Sequence, residues 1–124
     1  MAIDVKELSG QIELVLDQFN IEVVREVEDA MRKSANFGRQ LLRNHQSPYE
    51  YGDYAEGWRV SYEHVGQIQP RRYIIHNRTR YMLTHLLENG FISRYGTPTM
   101  PKPHLGYTRE KVEEELDRLL GEIL

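Results

Sequence analysis

Val5, Leu8, Ile12, Leu16, Phe19, Val23, Val27, Met31, Leu41 and Leu42 recur mostly three or four residues apart. That spacing lays one apolar stripe along a helix, so residues 4–44 are predicted helical. Ser9-Gly10 and Asn20 are weak points, and a break near Phe19–Ile21 is expected, with Asp17 or Asn20 capping a second helix. The stripe is narrow. It suits packing on the chain's own sheet, and part of it suits a neighbouring subunit. His45–Asp53 is rich in turn formers. Ser47-Pro48 ends the helix because proline disfavours helical geometry in the residue before it, and Gly52 supports a tight turn.

The period then changes. In Gly57–Val65, Trp58, Val60, Tyr62 and His64 alternate with Arg59, Ser61 and Glu63. This is a strand with one apolar face. Arg71–Asn77 is a second strand after the turn at Gly66–Pro70. Its Tyr73-Ile74-Ile75 run predicts cover on both faces, and the two strands should pair as an antiparallel hairpin. Arg80–Asn89 returns to helical spacing. Asn77 or Thr79 can cap its start, and Gly90 supplies the left-handed position that ends it.

Residues 90–105 carry almost no apolar pattern and read as an extended loop, kept stretched by Pro98, Pro101 and Pro103. Glu88 falls at the C-terminal end of the short helix, where the dipole disfavours a carboxylate. A neighbouring cation, Arg94 or Lys102, is expected to pair with it and pin the loop. Tyr107–Leu124 is the last helix, with Val112, Leu116, Leu119, Leu120 and Ile123 as its buried stripe. Thr108 with Lys111 makes a poor capping box, while Glu110 suits the dipole. The predicted class is α+β: a long N-terminal helix packed on a small antiparallel β-sheet, a short helix after the second strand, an extended loop and a C-terminal helix.

The 124 residues fit a single domain, 1–124, within which the acidic helix of residues 1–20 can be separate or mobile. There is no cysteine, which removes disulfides, zinc–thiolate sites and thiol nucleophiles. No apolar run reaches the roughly 18–20 residues of a membrane span. The start of the chain is acidic and amphipathic, unlike a signal peptide, so a soluble cytoplasmic product is expected. The net charge of −3 conceals acidic ends around a basic middle. Opposed patches of this kind suit nucleic acid, or head-to-tail packing of identical subunits.

Candidate chemistry is sparse. His85 and Glu88 lie three apart on a helix, and His76 and His104 can be imagined completing a metal site. His-x-x-Glu alone is a weak signal without a second paired spacing. A nuclease reading can enlist His76, Arg78, Arg80 and Tyr81. Arg71, Arg72, Arg78, Arg80 and Arg94, interleaved with Tyr73, Tyr81 and Tyr95, resemble a basic–aromatic nucleic-acid surface. Arginine and tyrosine are equally favoured in protein–protein interfaces. There is no phosphate-cradling glycine motif and no nucleophile elbow. No catalytic residue, metal ligand or cofactor site is assigned.

Three segments carry a resemblance. Ser47-Pro48 with Gly52-Asp53-Tyr54-Ala55-Glu56-Gly57-Trp58 is one. Asn77-Arg78-Thr79-Arg80-Tyr81-Met82-Leu83-Thr84-His85-Leu86-Leu87-Glu88-Asn89-Gly90 is the second, and Pro103-His104-Leu105 the third. Together they resemble a tailed-phage family of head–tail joining or tail-completion proteins, also described as neck or minor capsid components. Its type member is the gene-ten product of phage Hong Kong ninety-seven. The chain departs from the family pattern at Glu50-Tyr51, at Phe91, and in Ile92–Thr99, which lacks a Gly-rich loop. The resemblance implies a non-enzymatic structural protein of a bacteriophage or prophage, made in the host cytoplasm and residing in the virion. It implies a ring homo-oligomer, monomeric before assembly, that meets connector, tail-terminator or tail-tube proteins and passing DNA, but no membrane. The expected assembly residues are Tyr81, Leu87, Glu88, Gly90, Phe91, Arg94, Tyr95, Lys102, Pro103 and His104. The alternative is a small cytoplasmic nucleic-acid-binding module using the Arg/Tyr-rich middle.

Overall fold

A computed structural model describes residues 2–8, 21–46, 49–64, 71–79, 81–92, 96 and 98–123. The fold is α+β, as the two periodicities predict. A long helix, α1 (Ile21–Leu41), runs on into a wider turn, Leu42–Gln46. It packs on a three-stranded antiparallel sheet and on a last helix, α3 (Leu105–Ile123). The strands are β1 (Ile3–Asp4), β2 (Trp58–Glu63) and β3 (Arg72–Asn77), in the order β1-β3-β2. A short helix, α2 (Tyr81–Asn89), follows β3.

The start of the chain differs from expectation. Ile3–Asp4 is a strand and Val5–Leu8 a single tight helical turn. Ile3, Val5 and Leu8 are buried in the main core. The helical spacing of Val5 and Leu8 is real, but Ile3 pairs with Ile75 and Asp4 with Ile74. That long-range ladder wins over a local preference for helix. The expected weak points at Ser9-Gly10 and Asn20, and the stripe through Ile12, Leu16 and Phe19, lie outside the described residues.

β3 occupies the centre because it can serve two faces. Tyr73, Ile75 and Asn77 are buried, and Arg72, Ile74 and His76 are half-buried. Along the inner face Ile3, Ile75 and Val60 form a row across all three strands. β2 keeps its predicted alternation only at its start. Trp58 is fully buried, whereas Tyr62 is 55% exposed and His64 is exposed. β1 spans two residues opposite Ile74 and Ile75, so among the described residues no third strand flanks the sheet at Tyr62. There the Arg71 guanidinium lies 4.6 Å over the Tyr62 ring.

α1 meets α3 and β3 through a strip of small residues. Ala30, Ser34, Ala35 and Gly38 are buried beside Val27, Met31 and Leu42. A β-carbon on Gly38 would stand 2.5 Å from Val112 Cγ2 and 2.7 Å from Ile75 Cδ1. Gly38 therefore lets the helix backbone reach both partners at once. α1 also carries Glu22 in its first turn and Arg39 in its last, both matched to the dipole.

The predicted extended loop folds back on itself. Phe91–Ile92 (β4) pairs with Pro98–Thr99 (β5), in register Phe91 with Thr99 and Ile92 with Pro98. Gly90 has φ +79°, the left-handed stop expected of it.

Candidate functional site

The three segments that carry the resemblance meet in one buried clasp. Tyr54 enters from the tight turns of Tyr49–Gly57, Trp58 from β2 and Asn77 from the end of β3. Thr84, Leu87 and Glu88 come from α2, and His104 immediately precedes α3. Tyr54, Trp58, Leu87, Thr84, Asn77 and His104 are all buried.

The aromatic rings fix the centre. Tyr54 stands edge-on to Trp58 at 5.6 Å and to His104 at 5.5 Å, and Trp58 lies 6.1 Å from His104. Edge-to-face geometry lets each ring present its positive rim to a neighbour's negative face. Asn77 Nδ2 donates to the Tyr54 carbonyl at 2.6 Å, and Thr79 Oγ1 donates to Asn77 Oδ1 at 3.3 Å. The Arg78 amide donates to the Gly57 carbonyl at 2.8 Å. A β-carbon on Gly57 would fall 2.1 Å from Thr79 Oγ1 and 2.7 Å from Asn77 Oδ1. A side chain before Trp58 would therefore have to displace Thr79 or Asn77 from this network.

Glu88 serves the backbone of the next helix, while Arg94, one of its two expected cation partners, lies outside the described residues. Its Oε1 accepts the backbone N–H of His104 at 2.6 Å and that of Leu105. These N–H groups belong to the N-terminal end of α3, whose first turn has no internal acceptors. A carboxylate misplaced at the end of one helix is well placed at the start of the next. Thr108, a poor capping residue on its sequence, lies inside α3, and its hydroxyl donates to the His104 carbonyl at 2.8 Å. The helix begins two residues before the predicted Tyr107 because Glu88 supplies the cap from outside. The Lys102 amide adds a bond to the Leu87 carbonyl at 2.6 Å.

The His104 ring is held on both sides. Nδ1 is 3.0 Å from the Lys102 carbonyl and 3.1 Å from Glu88 Oε1. Facing two acceptors, Nδ1 carries a ring proton. Nε2 lies 2.6 Å from the Tyr54 hydroxyl, which donates to Thr84 Oγ1 at 3.0 Å. Burial pushes the imidazole below its ordinary value of 6.5, against the opposing pull of the Lys102 carbonyl and the Glu88 carboxylate. Burial, chiefly, raises the Tyr54 phenol to about 12. Every buried side-chain nitrogen and oxygen among the described residues has a partner.

The structure thus brings together Leu87, Glu88, Lys102 and His104 of the expected set, with Gly90 turning the chain beside them. Phe91 is half-buried in β4, and Pro103 is exposed. The Tyr81 side chain, Arg94 and Tyr95 lie outside the described residues. Sequence reasoning left Tyr54, Gly57, Trp58, Asn77 and Thr84 out of the site. Their signal was their place in the resembling segments, since hydrogen bonds spanning 50 residues, such as Tyr54 to His104, leave no periodic trace. The imagined histidine site does not assemble: His85 is exposed, His76 half-buried and His104 enclosed in the clasp. Among the described residues no three His, Asp or Glu side chains are grouped to hold a metal ion.

Among the described residues, Met82, Ile92, Met100 and Tyr107 are four of the five large hydrophobic residues found exposed, the fifth being Tyr62. All four fall between the start of α2 and the first turn of α3. Among the described residues no helix is long and apolar enough to cross a membrane.

No family model, curated protein or solved structure matches the chain.

Proposed function

We propose that this chain is a structural assembly protein of a tailed-phage virion or prophage, acting as a ring subunit at the head–tail connector or tail end. The observation that carries the reading is the convergence of all three resembling segments on one fully bonded clasp. Its polar groups satisfy one another rather than facing an open pocket. The clasp adjoins β4–β5, where Ile92 within β4 and Met100 just after β5 are 74% and 75% exposed. Met82, Ile92, Met100 and Tyr107 are all exposed within residues 82–107, and exposed apolar side chains that form a patch favour a protein partner. Charge then sets register, while apolar anchors hold the contact.

The nucleic-acid alternative draws less support. Arg71 is engaged by Glu28 and Tyr62, and Arg72 by Asp4. Arg39 and Arg59 both donate to the Trp58 carbonyl. Much of the basic middle is thereby matched within the subunit. The exposed pairs among these contribute only about 0–1 kcal/mol each, but they occupy the cations that phosphates would need.

Replacing Ile92 and Met100 together by aspartate should leave the clasp folded and abolish completion of infectious particles in a complementation assay. Normal particle yield from that variant would overturn the docking role. A nucleic-acid binder would instead show duplex or single-strand binding that weakens steeply with salt.

A further inference from the structure

β2 is an edge strand. The order β1-β3-β2 leaves its outer side without a neighbouring strand among the described residues. Its register with β3 is unbroken from Trp58 to Glu63, so neither a bulge nor a proline blunts this edge. The Arg78 amide donates to the Gly57 carbonyl, which fixes the alternation of the ladder. Gly57, Arg59, Ser61 and Glu63 turn their backbone groups towards β3, and Trp58, Val60 and Tyr62 turn theirs away. The Trp58 carbonyl fits this pattern, because Arg39 and Arg59 take it instead of β3. The outward backbone groups of Val60 and Tyr62 have no such partner among the described residues. Tyr62, Ser61 and Glu63 are exposed around them.

The side chains select what can pair there. Arg59 and Glu63 stand on the outer face, evenly placed on either side of Ser61. About a two-fold axis at Ser61, an antiparallel second copy of β2 sets Arg59 against the partner's Glu63 and Glu63 against the partner's Arg59. The same register sets Val60 against the partner's Tyr62. Both turn their backbone groups outward, so the pair exchanges N–H and carbonyl in both directions. A shift of one residue loses this backbone match, and a shift of two loses the charge match. Arg59 uses Nη1 on the Glu56 and Trp58 carbonyls, which leaves Nε and Nη2 for a carboxylate. Glu63 has no cation partner among the described residues. On the inner face the exposed Tyr62 ring gains a β-branched neighbour in the partner's Val60. We propose that β2 pairs with β2 of a second copy of this chain, antiparallel about Ser61, to make one sheet across a dimer. The contact is isologous, so it joins two chains and leaves ring closure to other surfaces. It stands independently of the virion role.

Sedimentation of the full chain from about 1 μM to about 1 mM tests it. The mass should rise with concentration from 14.7 kDa towards twice that value. Arg59→Glu and Glu63→Arg each set like charges opposite one another, and each variant alone should need about tenfold more chain to pair. Mixed in equal amounts they should pair as readily as the wild type, because each supplies the charge that the other lacks. A wild type that stays at 14.7 kDa throughout would overturn the proposal. So would a dimer that Glu63→Arg leaves intact, or folded single variants that do not pair when mixed. The wild type and Glu63→Arg, a change at an exposed position, decide the matter even if Arg59→Glu does not fold.

Discussion

Glu88 links two helices through one oxygen, and its removal should register on both. Glu88→Ala leaves the first amides of α3 without their acceptor, a loss of about 1–2 kcal/mol in urea unfolding. A stability within a few tenths of wild type would mean that water caps α3 equally well. Gly38 offers a sharper contrast. Helix propensity alone says that Gly38→Ala should gain about 1 kcal/mol. The contacts with Val112 and Ile75 say the reverse, and a net loss is expected. A raised melting temperature would show that α1 moves away easily. His104 adds a pH dependence to the whole fold. Unfolded imidazole takes up a proton near 6.5, while the buried ring resists to lower pH. Below 6.5 the unfolded state binds more protons, so stability should fall with falling pH through that window and be flat just above it. Tyr54 acts at the other end. Its phenol ionises near 10 when unfolded and near 12 when folded, so stability should fall as pH rises above 10. Urea midpoints across pH for wild type, His104→Gln and Tyr54→Phe separate the two effects.

At the scale of elements, β1 and the turn after it belong to the body of the protein. Ile3, Val5 and Leu8 are buried, and each should contribute roughly 1.5–3 kcal/mol. Val5→Asp should therefore unfold a large fraction of the chain at ambient temperature, as read by circular dichroism. A stable, well-folded Val5→Asp variant would mean that residues 3–8 detach at little cost. Local patterning made β2, β3, α2 and the stop at Gly90 legible, because each has a period or a turn residue of its own. Ile3–Leu8 was misread because its short apolar spacing fits a helix equally well, and its pairing partners, Ile74 and Ile75, lie far along the chain. The small-residue strip of α1 went unseen because Ala30, Ser34, Ala35 and Gly38 carry little hydrophobic signal. The same limit applies to the clasp. Glu88 was recognised as a carboxylate in need of a partner, but that its partner is the N-terminus of α3 follows only from the fold.

The described residues form a helix–sheet core with a bonded joint between α2 and α3, and carry exposed apolar side chains between the start of α2 and the first turn of α3. The chain's charge asymmetry is partly settled within the subunit, through Asp4 with Arg72 and Glu28 with Arg71. On the proposed assembly role, contact with neighbours depends on side chains such as Ile92, Met100 and Tyr107 more than on opposed charged ends. The phage reading rests on the resembling segments and on the way they converge. It is tested most directly by quantitative mass spectrometry of purified tailed particles produced from the genome that encodes this chain. The account expects the protein in completed particles at a small fixed number of copies, together with connector and tail proteins. Its absence from fully infectious particles would contradict the account.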